Sequence, residues 1–290
     1  MTETTIAVLG AGAMGSAIGR MTKEAGARVL TSLDGRGDAN IARVRLHPVS
    51  IVPPGVAEQT AQRMAPALTQ AARKPMYVDC NAISPETAAA IARVIEPTGA
   101  PFVDGGIIGA PSSLKFYMSG ADAGRTLALN QRGLVVRVLE GPVGAGAASA
   151  LKMSYAGITK GLTAFGSTMS LAALRNGAGD ALMAELSESQ PELAAWLTHN
   201  VPRMPPKAYR WVAEMEEIAA FIGADFPEHR IYEGAAALYA RLARDKDATQ
   251  ALENEKYFGK YEWASNEGQA RAADFSVIAS KKRTARLLPA

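Results

Sequence analysis

The sequence has little cysteine, little histidine, little net charge and no long uncharged apolar run. Cys80 is the only cysteine, so no intramolecular disulfide can form. That fits a reducing compartment, and a cytoplasmic location is expected. His47, His199 and His229 lie far apart with no Cys or His beside them, so no metal site is expected. No stretch of about 18 apolar residues is free of charge, and no membrane span is expected. The first residues lack a basic start followed by an apolar core, so no secretory leader is expected. The formal net charge is +3, and no helical pattern carries a basic stripe. Nucleic acid is therefore not an expected partner. Basic residues gather only near the end (Lys281, Lys282, Arg283, Arg286), where they read as a solvated tail.

What is present is ordinary for a globular chain: 290 residues, 48% hydrophobic and 20% charged, enough for two domains. The first half alternates short apolar runs with helical periods. Strands are expected at 4–9, 28–33, 49–52, 76–79, 101–106, 116–120 and 134–139. A helix is expected from Ala13 to Ala25, capped by Gly26. Ser84-Pro85-Glu86 opens another, with serine as N-cap and proline at the first helical position. Such alternation means βαβ units and a parallel sheet. From Ala147 to about Arg244 only helical periods remain. The expected architecture is α/β, with a nucleotide-type α/β domain over residues 1–143. An all-helical domain over 144–265 and a tail over 266–290 follow it. Asp34–Ser50 is a tight span for a crossover helix and two loops.

The stretch LGAGAMGSAIG, Leu9–Gly19, carries G-x-G-x-x-G between a strand and a helix. Gly10 permits the tight turn, Gly12 lets a pyrophosphate approach the backbone, and Gly15 lets helix and strand pack closely. Gly10, Ala11, Gly12, Ala13, Met14 and Gly15 are thus expected to line a dinucleotide. Asp34, at the end of the second strand, would bind a ribose 2′-hydroxyl and favour NAD. Arg36 would instead hold the 2′-phosphate of NADP. The balance leans to NADP, with NAD left open.

The motifs LGAGAMGSAIG, SIVPP, VDCNAISPE, VDGGIIGAP and GPVGAGAASALKMSYAGITKGLTA occur in this order. In this they resemble the β-hydroxyacid dehydrogenase family, which includes 6-phosphogluconate and 3-hydroxyisobutyrate dehydrogenases. PKAYRWVAEMEEI, residues 206–218, is similar to a segment of its 6-phosphogluconate dehydrogenase-like branch. The resemblance spans roughly residues 4–265. It implies a Rossmann domain, a helical domain that dimerises, a cleft between them, and hydride transfer between a nicotinamide and a hydroxyl-bearing carbon. It implies that Val52 and Pro53 pack against the cofactor and that Asn81 lies near the nicotinamide. It further implies that Gly105, Gly106 and Gly109 form a substrate loop and that Lys152 is the catalytic lysine. The chain departs from many members at Ile108, where they have serine, and at Ala156, where they have asparagine.

Dehydrogenating an alcohol needs a base for the hydroxyl proton, and the reverse reaction needs an acid. A lysine serves both when its surroundings favour the neutral amine. Tyr155, Thr159, Lys160 and Thr163 follow Lys152 at spacings that share one helical face. Tyr155 and Lys160 are therefore substrate-contact candidates. Lys207 and Arg210 are candidates from the aromatic and cationic segment that follows. That segment also reads as an amphipathic helix with pairs such as Arg210 to Glu214. Gly157 and Gly161 suit close helix packing. The leading expectation is an NAD(P)-dependent oxidoreductase acting on a small hydroxy acid or related alcohol, as a homodimer. Imine reduction on the same scaffold and a non-catalytic nucleotide sensor are the alternatives.

Overall fold

The computed structural model describes residues 5–10, 13–31, 47–110, 113–140 and 144–244. Seven strands form one sheet: β1 (Thr5–Leu9), β2 (Arg28–Thr31), β3 (His47–Ser50), β4 (Tyr77–Asp79), β5 (Phe102–Ile108), β6 (Lys115–Ser119) and β7 (Val136–Val138). Their order is β2-β1-β3-β4-β5-β6-β7. The first five run parallel, β6 is antiparallel to β5, and β7 is parallel to β6. The chain steps outward from β1 to β2 and then resumes on the other side of β1 with β3. The sheet's topological switch point is therefore between β1 and β3.

Both faces of the sheet are covered, which explains the unbroken apolar runs of its strands. One core packs α1 (Ala13–Glu24) through Ile18 against Ile6, Val8, Val78 and Val103. The other packs α2 (Ala57–Gln70) and α3 (Pro85–Ile95) through Leu68, Ile91 and Ile95 against Tyr77 and Phe102. α1 ends as its sequence predicts: Gly26, at φ 78°, donates its N–H to the Lys23 carbonyl, and Ala27 donates to that of Thr22. α3 starts as predicted too, with Ser84 Oγ accepting from the Thr87 N–H and Pro85 at the first position. The third strand lies two residues earlier than expected, because after Ser50 the chain leaves the ladder towards Pro53 and Pro54.

From Ala147 the described chain is helical: α4 (Ala147–Arg175), α5 (Gly179–Ser189), α6 (Pro191–Asn200), α7 (Ala208–Ile222) and α8 (Arg230–Arg244), with short 3₁₀ turns between. Two compact units result. One runs from the N-terminal end to Ala156 and takes in Glu216–His229; the other holds Gly157–Met215 and the residues from Arg230 on. The change from strands to helices falls between Val138 and Ala147, whereas the compact units part inside α4. In the second unit Tyr239 of α8 is fully buried. It meets Trp211 edge-on at 5.2 Å and donates its hydroxyl to the Lys160 carbonyl at 2.6 Å. Tyr232 covers the expected glycine pair: a Cβ on Gly157 would lie 3.0 Å from its Oη, and one on Gly161 3.3 Å from its ring. No helix of the described residues is long and apolar enough to cross a membrane.

Candidate active site

The turn after β1 is built on its glycines. Gly10 has φ +94°, and a Cβ there would lie 2.3 Å from the Ile51 carbonyl oxygen. A Cβ on Gly15 would lie 1.9 Å from the Gly10 carbonyl oxygen. Neither position admits a side chain, so backbone from β1, α1 and the end of β3 converges at the switch point. α1 begins at Ala13, Met14 is half-buried in its first turn, and the helix's N-terminus supplies the positive end of its dipole there. These features fit a dinucleotide pyrophosphate. Ala11, Gly12, Asp34 and Arg36 lie outside the described residues.

One row of the ladder is polar. Ser50 pairs with Asp79, Asp79 with Asp104, and Asp104 with Ser119. In-register neighbours share a sheet face, so four buried polar side chains cross β3, β4, β5 and β6 in a line. Beyond that row, towards the carboxyl edge of the parallel strands, stand Gly10, Val52, Asn81 and Gly106. Asn81 is buried and braced from all sides. Its backbone N–H and its amide nitrogen donate to the two Asp79 carboxylate oxygens at 2.9 and 2.8 Å. The amide also donates to Ser50 Oγ at 3.1 Å, and its oxygen accepts from the Val52 N–H at 2.7 Å. Asn81 thus fixes the Val52 backbone, while Pro53 beside it is exposed. Burial pushes the Asp79 carboxyl up to about 7; the Asn81 N–H opposes this and the neighbouring Asp104 charge adds to it. Burial likewise raises the Cys80 thiol well above its ordinary range, so it is a packing group.

Asp104 faces the start of α4. Its carboxylate accepts from the Gly146 N–H at 3.0 Å, the Ser149 N–H at 3.0 Å, Ser149 Oγ at 2.6 Å and Ser119 Oγ at 2.9 Å. Ser119 Oγ in turn accepts from the Ala148 N–H at 3.0 Å. Three donors at the start of α4, on Gly146, Ala148 and Ser149, which its own helix cannot satisfy, are therefore held by two strand side chains. The acid also sits at the positive end of the helix dipole. Three residues on from Ser149 comes Lys152, half-buried. A Cβ on Gly106 would lie 2.7 Å from the Ala148 carbonyl oxygen and 3.1 Å from Lys152 Cβ. The helix thus rests directly on β5, and Lys152 stands over Gly106.

The expected substrate loop is mostly strand. Gly105 and Gly106 are buried inside β5, because a glycine there lets neighbours close in: Cys80 and Met118 at Gly105, α4 at Gly106. Only Gly109, at φ +117°, opens a turn. Ile108 is half-buried at the strand's end. Tyr155 is half exposed in the same unit as Lys152. Lys160, Lys207 and Arg210 belong to the second unit. There Lys160 bonds the buried Glu214 carboxylate, and its ammonium lies 5.0 Å from the Trp211 ring centre. Lys207 and Arg210 are exposed, with the Arg210 guanidinium 5.8 Å from the Tyr209 ring centre.

The sequence reading missed Asp79, Asp104, Ser119 and Ser149. Its available signal was an acid following an aromatic–valine pair in the same way twice, YVD at 77–79 and FVD at 102–104. It also missed Glu217, which accepts from the Ser84 N–H at 2.7 Å and the Thr87 hydroxyl at 3.1 Å and so covers the N-terminus of α3. No local pattern signals a contact between residues so far apart in the chain.

Residues 173–242 match the profile of a domain of unknown function, DUF1932. No curated protein matches the chain in sequence. Among solved structures the chain is similar to MTH1747, a conserved protein of unknown function described as structurally similar to 3-hydroxyacid dehydrogenases. Identity is 26% and TM-score 0.62, over 85% of this chain and 98% of that one. It is also similar to the 3-hydroxyisobutyrate dehydrogenase of Mycobacterium tuberculosis solved with L-serine, at 19% identity and TM-score 0.63, over 84% and 95%. An imine reductase from Myxococcus stipitatus in complex with NADP+ shares the fold at 20% identity and TM-score 0.51, over 84% and 94%. With a Rossmann sheet followed by a helical domain, the chain has the fold of the 3-hydroxyacid dehydrogenases and is similar to them.

Proposed function

We propose that the protein is an NAD(P)-dependent oxidoreductase in which Lys152 is the general acid and base for a small hydroxy acid or related alcohol. The observation that carries this is Lys152 standing over Gly106 at the carboxyl edge of the sheet, in the same unit as the glycine turn. The nicotinamide, when bound, accepts or supplies the hydride. The residues do the rest. The Gly10–Gly15 turn and the α1 N-terminus receive the pyrophosphate. Asn81 holds Val52, and with it the wall on which the cofactor rests. Lys152 takes the proton from the substrate hydroxyl as hydride leaves the same carbon, or returns it in reduction. NADP is the preferred form on the strength of Arg36 in the sequence.

Ile108 favours one second reading. It removes a hydroxyl where many relatives have serine, and that suits a substrate without a carboxylate, such as an imine reduced at its C=N bond. The imine reductase from Myxococcus stipitatus shows that the fold accompanies that chemistry. The protein is further proposed to act as a homodimer through α4, whose Ile158, Phe165 and Met169 are exposed at helical spacing.

The test follows nicotinamide absorbance across panels of hydroxy acids and of imines with NADPH or NADP+. Lys152→Ala is expected to keep cofactor affinity and lose about 10²- to 10⁴-fold in turnover. Lys152→Arg is expected to fare little better, since guanidinium cannot act as a base near neutral pH. Near-wild-type turnover in Lys152→Ala would overturn the assignment. Cofactor binding with no turnover on either panel would favour a sensor.

A further inference from the structure

Lys152 does not choose its own place: α4 carries it, and α4 is held at its first turn. Asp104 gathers four donors there, from Gly146 N, Ser149 N, Ser149 Oγ and Ser119 Oγ. Ser119 Oγ accepts from the Ala148 N–H and donates its own hydroxyl to Asp104. All three side chains are buried, at 0% exposure. The chain thereby grips the helix start from two adjacent strands, β5 and β6, with every bond to the helix made by a residue three to six positions before Lys152.

A simple N-cap would need only one side chain from the residue at the helix start. Here the caps come from the sheet, so they fix how far α4 stands from β5 and how it is turned about its axis. Those are the two coordinates that place a side chain one turn along. The contact below confirms that the fit is tight, since a methyl group on Gly106 has no room beneath Ala148 and Lys152. Charge works in the same direction. A carboxylate at the helix N-terminus offsets the positive end of the dipole, one turn before Lys152.

We propose that Asp104 and Ser119 are positioning residues for Lys152, setting the distance and rotation of its ammonium at the carboxyl edge of the sheet. The proposal rests on the role given to Lys152 above, but its test does not depend on finding the substrate. Ser119→Ala removes the acceptor of the Ala148 N–H together with one donor to Asp104. Ser149→Ala removes only one donor.

The experiment labels the full chain with trace acetic anhydride at one fixed pH and reads, by mass spectrometry, the rate at Lys152 relative to the exposed Lys207. NADPH binding and thermal unfolding are measured in parallel. In Ser119→Ala the relative rate at Lys152 is expected to change by threefold or more, and in Ser149→Ala by less, with NADPH affinity within about twofold of wild type. On any substrate the panels yield, Ser119→Ala is expected to lower kcat about tenfold at nearly unchanged KM, as a displacement of the acting group does. If Ser119→Ala fails to fold, the same readout is taken on Ser149→Ala, where any Lys152-specific change supports the proposal. A lowered unfolding temperature with the Lys152 rate unchanged would overturn it, leaving Asp104 and Ser119 with a purely structural part. Failure of the oxidoreductase reading shows separately, as absent NADPH binding or turnover in the wild type.

Discussion

Gly106→Ala isolates the contact on which the site rests. The backbone at Gly106 has no left-handed φ, so alanine meets no conformational strain there and the whole effect is packing. The new Cβ would be 2.7 Å from the Ala148 carbonyl oxygen, against 3.4 Å for an ordinary contact, so α4 must retreat by about 0.7 Å. The obstacle is backbone, and it cannot swing aside. Such a retreat stretches the Asp104 bonds to Gly146 and Ser149 from 3.0 Å to beyond hydrogen-bond range. Overpacking of this kind costs about 1–3 kcal/mol, while replacing glycine in a strand returns roughly 0.5–1 kcal/mol. The two ranges leave a net loss of about 0–2.5 kcal/mol, and the stretched Asp104 bonds add about 1 kcal/mol or more, so a clear loss is expected in urea unfolding. Turnover should fall about tenfold or more, because Lys152 moves with the helix. Gly124→Ala is the control. A Cβ there has nothing within 4 Å, and alanine should be neutral or stabilising by up to about 1 kcal/mol. Equal stability of Gly106→Ala and wild type, or a loss no greater than at Gly124, would refute the idea that glycine is there to seat α4.

Asp79 links stability to pH in a definite direction. Its carboxyl lies near 7 in the fold against an ordinary 3.8, so the native state holds the proton more tightly than the unfolded chain does. Its contribution is full below about pH 4 and is lost as pH rises to about 7. Asp79→Asn cannot ionise and should show a flatter stability profile between pH 4 and 8 in denaturant unfolding; an unchanged profile would remove Asp79 as the source. The proposed dimer is checked by light scattering at micromolar concentration, where Phe165→Asp with Ile158→Asp should yield monomer from dimeric wild type. A monomeric wild type would contradict that interface.

Much of this protein is local and therefore legible in its sequence. A strand, a glycine turn and a helix follow one another within Thr5–Glu24, and each is set by neighbours a few residues away. Ser84-Pro85, Gly26 and the helical periods after Ala147 are signals of the same kind. Strand existence was legible too, since burial on both faces demands continuous apolar runs. The register of those strands was not. A slip of one residue turns every side chain to the other face, and only the assembled sheet brings Ser50, Asp79, Asp104 and Ser119 into one row. Lys152 was singled out by its motif as a candidate, yet what seats it was invisible: Asp104 is 45 positions from Ser149 and Ser119 is 29 from Ala148. Lys160 shows the reverse. Its spacing from Lys152 suggested a shared task, but Glu214, 54 positions away, holds it in the other unit. Helical periodicity tells which residues share a face, whereas the partner that meets that face is chosen by packing between segments far apart in the chain.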